Sequence, residues 1–87
     1  MNTKPIKYAV ELAACGSVQK VASKNQISRS AVSRNIKRLE EDLGSTLFVK
    51  LQDSIVPTCN GDIFLQYARQ ILNIEDDLRY SIGQEGA

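Results

Sequence analysis

The apolar positions between residues 18 and 43 predict two short helices joined by a tight turn. In the later of the two, apolar side chains recur at intervals of four, three and four residues and so form one stripe: Val32, Ile36, Leu39 and Leu43. The opposite face is small, polar and basic near its N-terminal end, and consists of Ser30, Arg34, Lys37 and Glu41. Such a face on the second helix of a helix-turn-helix fits the major groove of DNA, whereas the alternative is an ordinary solvated helix surface.

A further helix precedes this pair. Thr3 is a suitable N-cap, Pro5 suits a first helical turn, and Gly16 is a suitable C-terminal stop. Helical spacing of apolar residues predicts its core face, which comprises Ile6, Val10 and Ala13, widened by Ala9 and Leu12.

The two later helices carry their own caps. Ser17 is expected to cap a helix from Val18 to about Asn25, and Ser28 to cap the helix that Gly44 ends. The residues expected to face inward are Val21, Ala22 and, in the turn, Ile27. Two lysines face outward and either contact phosphates or only keep the surface soluble; they are Lys20 and Lys24.

Residues 48–57 predict a small β-hairpin packed behind the helices. Leu47 and Phe48 are candidate core anchors, and the β-branched pair Ile55-Val56 suits the return strand after a polar turn. Lys50 is the only cation of this wing and Asp53 lies near its tip, so we expect it to contribute little to binding a polyanion.

The last part of the chain predicts one long helix. After a break at residues 57–61, with Thr58 as cap, the pattern from Asp62 to about Ile82 approaches a 3.5-residue repeat. The repeating positions are Phe64, Tyr67, Ile71, Ile74, Leu78 and Ile82, and Leu65, Ala68 and Leu72 broaden the apolar side.

Such a helix is about 30 Å long, and a domain of this size cannot cover both of its apolar flanks. A second copy of the same helix would bury the excess. The alternative is that the helix folds back along its own domain, as we expect for Phe64 and Tyr67. The predicted architecture is mainly α: a winged helix-turn-helix, with a three-helix core and a small β-hairpin wing, over residues 1–61, then a linker and dimerisation helix with its tail over residues 62–87.

The charge is distributed unevenly along the chain. The net charge is +1, but residues 1–50 contain nine Lys or Arg and four Asp or Glu, whereas residues 51–87 contain two and six. A basic front suits a polyanionic partner, and the acidic back is expected to face away from it.

Composition argues against several classes of protein. The chain has no His, no phosphate-binding glycine loop and no metal-ligand set, so we expect no enzyme, no catalytic residue, no metal and no cofactor.

Cys15 and Cys59 are expected to be free thiols, with Cys15 buried; a redox switch is the alternative. Without a membrane-length apolar run or a signal-peptide pattern, the protein is expected to stay in the cytoplasm, away from membranes.

Several motifs follow one another in a fixed order. They are Gly16-Ser17, Val21-Ala22, Ile27-Ser28, Ala31-Val32-Ser33-Arg34-Asn35-Ile36, Leu39-Glu40-Glu41-Asp42-Leu43-Gly44, Leu47-Phe48, Thr58 and Gly61. In this spacing, from about Ile6 to Leu78, the chain resembles the N-terminal DNA-binding domain of LysR-type transcriptional regulators. The combination of motifs is specific, although each one alone is weak.

The resemblance implies a winged helix-turn-helix followed by a linker helix that pairs two subunits on double-stranded DNA. The positions matching Arg29, Ser30 and Ser33 would read base edges. Those near phosphates would be Ser17, Ser28, Arg34 and Lys50.

Three features depart from the family pattern. The family usually has Gln and Pro where this chain has Arg29 and Ser30, and an arginine there could read guanine in a bidentate manner. The wing has Gln52-Asp53-Ser54 instead of basic residues, and Pro57 replaces a leucine. Family members also carry a ligand-sensing domain, so the chain is either an excised fragment or a stand-alone protein.

We therefore predict a sequence-specific DNA-binding domain that controls transcription as a homodimer on an inverted repeat. The residues expected to contact DNA are Ser17, Lys20, Ser28, Arg29, Ser30, Ser33, Arg34, Lys37, Arg38 and Lys50. Those expected to form the dimer are Phe64, Tyr67, Ile71, Ile74 and Leu78. The alternative is an interaction protein that forms a heterodimer with a related, full-length regulator through its long helix.

Overall fold

The computed structural model describes residues 2–86, except for the side chains of Glu85 and Gly86. The elements, in order, are α1 (Lys4–Cys15), α2 (Val18–Asn25), α3 (Arg29–Leu43), β1 (Phe48–Leu51), β2 (Ser54–Pro57) and α4 (Cys59–Gly86). The predicted winged helix-turn-helix with a long final helix is thereby confirmed, in a molecule measuring 49 × 27 × 20 Å. Over this range, no helix combines the length and the apolar character that crossing a membrane requires.

The predicted ends of the first three helices are confirmed, with one change in how they are capped. Gly16 and Gly44 adopt left-handed conformations, with φ of 69° and 64°, directly after α1 and α3. Thr3 occupies the N-cap position of α1 but makes no capping hydrogen bond. Its hydroxyl instead lies 2.7 Å from both carboxylate oxygens of Glu75, to which it donates, so this side chain connects α1 with α4.

The core lies where α1, α2 and α3 meet the start of the hairpin and the first half of α4. Its buried side chains are Tyr8, Ala9, Leu12, Val21, Ala22, Val32, Ile36, Leu47, Phe48, Leu65 and Ala68. The predicted core face of α1 is therefore partly wrong. The buried residues of α1 are Tyr8, Ala9 and Leu12, whereas Ile6, Val10 and Ala13 are only half-buried. The apolar residues of α1 cover more than half of its circumference, and packing against α4 selects the side that carries Tyr8.

Two further burial predictions were wrong at helix ends. Cys15 is exposed, because α1 ends at this residue and the chain turns away at Gly16; its thiol lies 3.5 Å from the carbonyl oxygen of Ser17. Leu43, the last residue of α3, is 55% exposed, because the final turn of that helix extends past the core.

The hairpin is a two-stranded antiparallel sheet in which Val49 pairs with Val56 and Lys50 with Ile55. The amide of Ile55 donates to the carbonyl oxygen of Gly16 at 3.0 Å. This bond attaches the wing to the turn between α1 and α2, and the hairpin therefore has a fixed position beside the helices.

Helix α4 begins earlier than predicted, and Gly61 lies within its first turn instead of in a break before it. Thr58 caps the helix as expected, since its hydroxyl accepts from the amide of Gly61 at 3.0 Å. A Cβ atom at Gly61 would lie 2.0 Å from the carbonyl oxygen of Leu47. The glycine is thus required by the close approach of two backbones, not by an unusual φ angle.

The first half of α4 packs along α1 through one side only. Leu65 and Ala68 are buried there, and Phe64 packs against the core, as the fold-back interpretation expected. Tyr67 does not fold back: it is 61% exposed, because it points away from α1 on the other flank of the helix.

Candidate nucleic-acid interface

The face of α3 opposite the core is exposed. Val32 and Ile36 are buried beneath the helix, and the exposed positions above them are Ser30, Ser33, Arg34, Lys37 and Arg38. At about 100° per residue, the first four of these share one broad face, whereas Arg38 lies at its edge. The structure therefore brings together most of the predicted α3 contacts and places Arg38 on the border of the surface.

The N-terminal end of α3 is held by its cap. The Ser28 hydroxyl accepts from the amide of Ala31 at 3.0 Å, as predicted. This leaves the first helical residue, Arg29, exposed at the positive end of the helix dipole. Its Nη1 donates to Oε1 of Gln19, in α2, at 3.3 Å. Sequence reasoning did not identify Gln19, because only the folded chain brings the first turns of α2 and α3 together.

The N-terminus of α2 lies beside the N-terminus of α3, since Gln19 contacts Arg29. Ser17 accepts from the amide of Lys20 at 3.2 Å, and the Lys20 side chain is exposed. The two lysines of this helix differ in their surroundings, since Nζ of Lys24 lies 3.2 Å from a carboxylate oxygen of Glu11. Lys20 is thus the better candidate for contacting a phosphate.

The wing contributes one cation to the same surface. Ser33, Lys37 and Lys50 line one groove between α3 and the hairpin, whose floor is apolar and formed by Leu12, Val18, Ile36, Phe48 and Ile55. Val49 also lines this groove and is 43% exposed. Lys50 therefore extends the positive surface of α3 onto the wing, although it is the wing's only cation.

A carboxylate joins α3 to the start of the hairpin. Oε2 of Glu40, which lines the same groove as Lys37 and Lys50, accepts from the amides of Leu47 and Phe48 at 2.8 and 3.3 Å. Sequence reasoning treated Glu40 only as part of a motif. The sequence offers no signal that singles it out, because Glu40 is followed directly by two further acidic residues of α3, Glu41 and Asp42.

The exposed cations of this surface form no ion pair with the side chains of residues 2–84. Among the side chains of residues 2–84, the ion pairs are Lys24 with Glu11 and Arg79 with Glu75. The charges on Arg29, Arg34, Lys37, Arg38 and Lys50 therefore lack an ionic partner in this described part. A surface of this kind attracts an external polyanion, and the N-terminus of α3 beside these cations suits phosphate groups.

A separate apolar surface runs along α4. Exposed apolar side chains occur at steps of four, four, three, four and four residues and form one stripe: Ile63, Tyr67, Ile71, Ile74, Leu78 and Ile82. Of the five residues expected to form a dimer, Phe64 packs against the core of its own domain, whereas the other four belong to this stripe.

The sequence comparisons agree with this geometry. The sequence model described as "Bacterial regulatory helix-turn-helix protein, lysR family" matches residues 4–62. The chain is 37% identical over 78 residues to the HTH-type transcriptional regulator YcgK of Bacillus subtilis (strain 168), covering 90% of this chain and 24% of that protein. It is 35% identical over 86 residues to the HTH-type transcriptional regulator IlvY of Escherichia coli (strain K12), covering 99% of this chain and 29% of that protein.

The fold is also similar to that of a solved protein–DNA complex. The crystal structure of the BenM DNA-binding domain with the catB site 1 DNA superposes with a TM-score of 0.91 at 29% sequence identity. The match covers 100% of this chain and 97% of that one. By contrast, the chain spans less than a third of the length of the two curated relatives.

Proposed function

The chain belongs to the lysR family of bacterial regulatory helix-turn-helix proteins, and from this we propose that it regulates transcription by binding specific sequences in double-stranded DNA. It acts by binding and not by catalysis, in the cytoplasm, where bacterial DNA lies. The observation that carries the proposal is the exposed face of α3, whose cations lack ionic partners within the described side chains and which continues onto Lys50 of the wing.

In this proposal α3 enters the major groove with its N-terminal end foremost. Arg29, Ser30 and Ser33 face the base edges and discriminate between sequences, because each base pair presents a distinct donor and acceptor pattern in this groove. Phosphate contacts, which fix the position of the protein and are sensitive to salt, come from the remaining side chains: Ser17, Lys20, Ser28, Arg34, Lys37, Arg38 and Lys50.

The apolar stripe of α4 supports a homodimer as the binding species. We propose that residues 62–87 pair two copies and that residues 1–61 bind DNA. Tyr67, Ile71, Ile74 and Leu78 would supply the contact, since they are exposed in the single chain and share one flank of the helix. Two copies related by a twofold axis would place their α3 helices in successive major grooves, and the preferred site is then an interrupted inverted repeat.

The test is selection from a random duplex library. The purified chain is incubated with the library at about 0.15 M salt, the retained duplexes are amplified, and the enriched sequences are determined after several rounds. We expect an inverted repeat whose half-sites lie about one helical turn apart or slightly more. Retention of all sequences alike, or of none, would contradict sequence-specific binding.

A second candidate function would use the same apolar stripe. A chain that pairs with a related full-length regulator through α4 could hold that regulator in an unproductive heterodimer. This alternative predicts no sequence preference for the purified chain alone, so the library selection separates the two functions.

A further inference from the structure

We infer that Gln19 positions Arg29, and that the pair determines how strictly the protein selects the base that Arg29 contacts. This inference rests on the proposed function, because it concerns the precision with which α3 reads DNA. It assigns a role to a residue of α2, a helix otherwise concerned with packing and phosphate contacts.

The two side chains meet at adjacent helix starts. Gln19 is the second residue of α2 and Arg29 the first of α3, and Nη1 of Arg29 donates to Oε1 of Gln19 at 3.3 Å. The backbones beneath them are fixed by the capping bonds of Ser17 and Ser28, at 3.2 and 3.0 Å. The two backbone positions from which these exposed side chains extend are therefore fixed relative to their own helices.

This bond leaves the guanidinium able to bind a base. An arginine has five N–H donors, and a bidentate contact with O6 and N7 of guanine uses two of them. A contact with Gln19 through Nη1 leaves donors on Nη2 and Nε for the groove. Because Gln19 restricts the rotamers and the plane of the guanidinium before DNA arrives, less conformational entropy is lost when the correct base is bound.

The other arginines of α3 are not held in this way. In the described residues, neither Arg34 nor Arg38 makes a hydrogen bond or an ion pair through its side chain. A mobile arginine suits a phosphate, which can be approached from many directions. A positioned arginine suits a base edge, which can be approached from one direction only. The Gln19 contact thus distinguishes Arg29 from its neighbours in the manner that base readout requires.

The test uses three variants of the full chain. Gln19→Met removes the acceptor and keeps the side-chain length, Gln19→Glu keeps an acceptor at the same position, and Arg29→Ala removes the group that is positioned. The base pair that Arg29 reads is located first, as the position whose preference is lost in a library selection with Arg29→Ala. Affinities are then measured for the best duplex and for the three others at that base pair, and circular dichroism checks that each variant is folded.

We expect Gln19→Met to reduce the preference at that base pair by about three- to tenfold, the size of one exposed hydrogen bond, with little change at other positions. Gln19→Glu should keep the preference while weakening all duplexes alike, because it adds a negative charge near the phosphates. In the Arg29→Ala background, Gln19→Met should have no further effect on base preference.

Two results would overturn the inference while leaving the proposed function intact. One is a Gln19→Met variant that selects as strictly as the original chain. The other is an equal loss of preference in the presence and in the absence of Arg29, which would mean that Gln19 contacts DNA by itself. If the original chain selects no sequence at all, the proposed function fails, and this inference fails with it.

Discussion

The carboxylate of Glu40 accepts a hydrogen bond from the backbone amide of Leu47 at 2.8 Å, across the loop that joins α3 to the hairpin. The same oxygen lies 3.3 Å from the amide of Phe48, so one side chain binds two consecutive donors at the start of β1. Leu47 is 1% exposed, and its amide has little access to water. Glu40 therefore fixes the wing relative to α3, and with it the position of Lys50 relative to Lys37.

Glu40→Ala should lower the free energy of unfolding by about 1–3 kcal/mol, because two amides with little access to water lose a charged acceptor. Urea unfolding followed by circular dichroism measures the change. Glu41→Ala is the matched control, since Glu41 is exposed and should change stability by less than about 0.5 kcal/mol. Equal effects of the two substitutions would show that the Glu40 contact contributes nothing specific.

Gly61→Ala should destabilise the protein by about 1–3 kcal/mol, because the added methyl group overlaps the carbonyl oxygen of Leu47 and forces α4 away from the loop. Gly83 provides the control: it lies in the same helix, and a Cβ atom there meets nothing within 4 Å. Gly83→Ala should be neutral or stabilise by up to about 1 kcal/mol. Thermal unfolding measures both effects. If the two substitutions shifted the unfolding midpoint in the same direction, the result would contradict this account.

Arg29→Ala and Arg34→Ala should affect DNA binding in different ways. Loss of Arg29 should relax the preference at one base pair by about 1–3 kcal/mol, whereas loss of Arg34 should weaken binding to all duplexes alike. Arg34→Ala should also reduce the slope of log affinity against log salt concentration by about one unit per subunit. Fluorescence anisotropy titrations at several salt concentrations measure both quantities.

The control for these titrations is Arg69→Ala, which removes the same charge from an exposed position on α4, outside the proposed DNA surface. It should leave both the base preference and the salt slope unchanged. If Arg69→Ala matched Arg34→Ala, the effect would be one of net charge and not of a contact.

Ile74→Asp should convert the proposed dimer into a folded monomer. Ile74 is 65% exposed in the single chain, so the substitution costs the monomer little but places two charges in the paired apolar stripe. We expect dimerisation to weaken at least about tenfold, as measured by sedimentation equilibrium. Asn73→Asp adds the same charge to the adjacent exposed position outside the stripe, and it should remain dimeric; a monomeric Asn73→Asp would indicate general charge repulsion.

The order of elements could be predicted from the sequence because local signals determine it. Ser17 and Ser28 cap their helices, Gly16 and Gly44 end theirs in left-handed conformations, and Thr58 opens α4. These signals act over three or four residues. They require no knowledge of what packs against the helix.

Most of the features that the sequence did not reveal depend on contacts between distant elements. The side of α1 that is buried depends on α4, and Thr3 bonds with Glu75 instead of capping its own helix. The sequence pattern predicts a helix break at Gly61, because the close approach of this residue to Leu47 has no local sign. In the candidate interface, the exposed cations of α3 could be predicted from periodicity, but the contact between Gln19 and Arg29 could not.

In the proposed dimer, the unbroken apolar stripe from Ile63 to Ile82 would make α4 the element that determines the spacing of the DNA site. The helix rises about 1.5 Å per residue, so a pairing shifted by seven residues would displace the two DNA-binding ends by about 10 Å. That displacement corresponds to about three base pairs at 3.4 Å each. It would also rotate one half-site by nearly a third of a turn relative to the other. In the proposed dimer, the register in which the two α4 helices meet would therefore set both the spacing and the rotational phase of the DNA site.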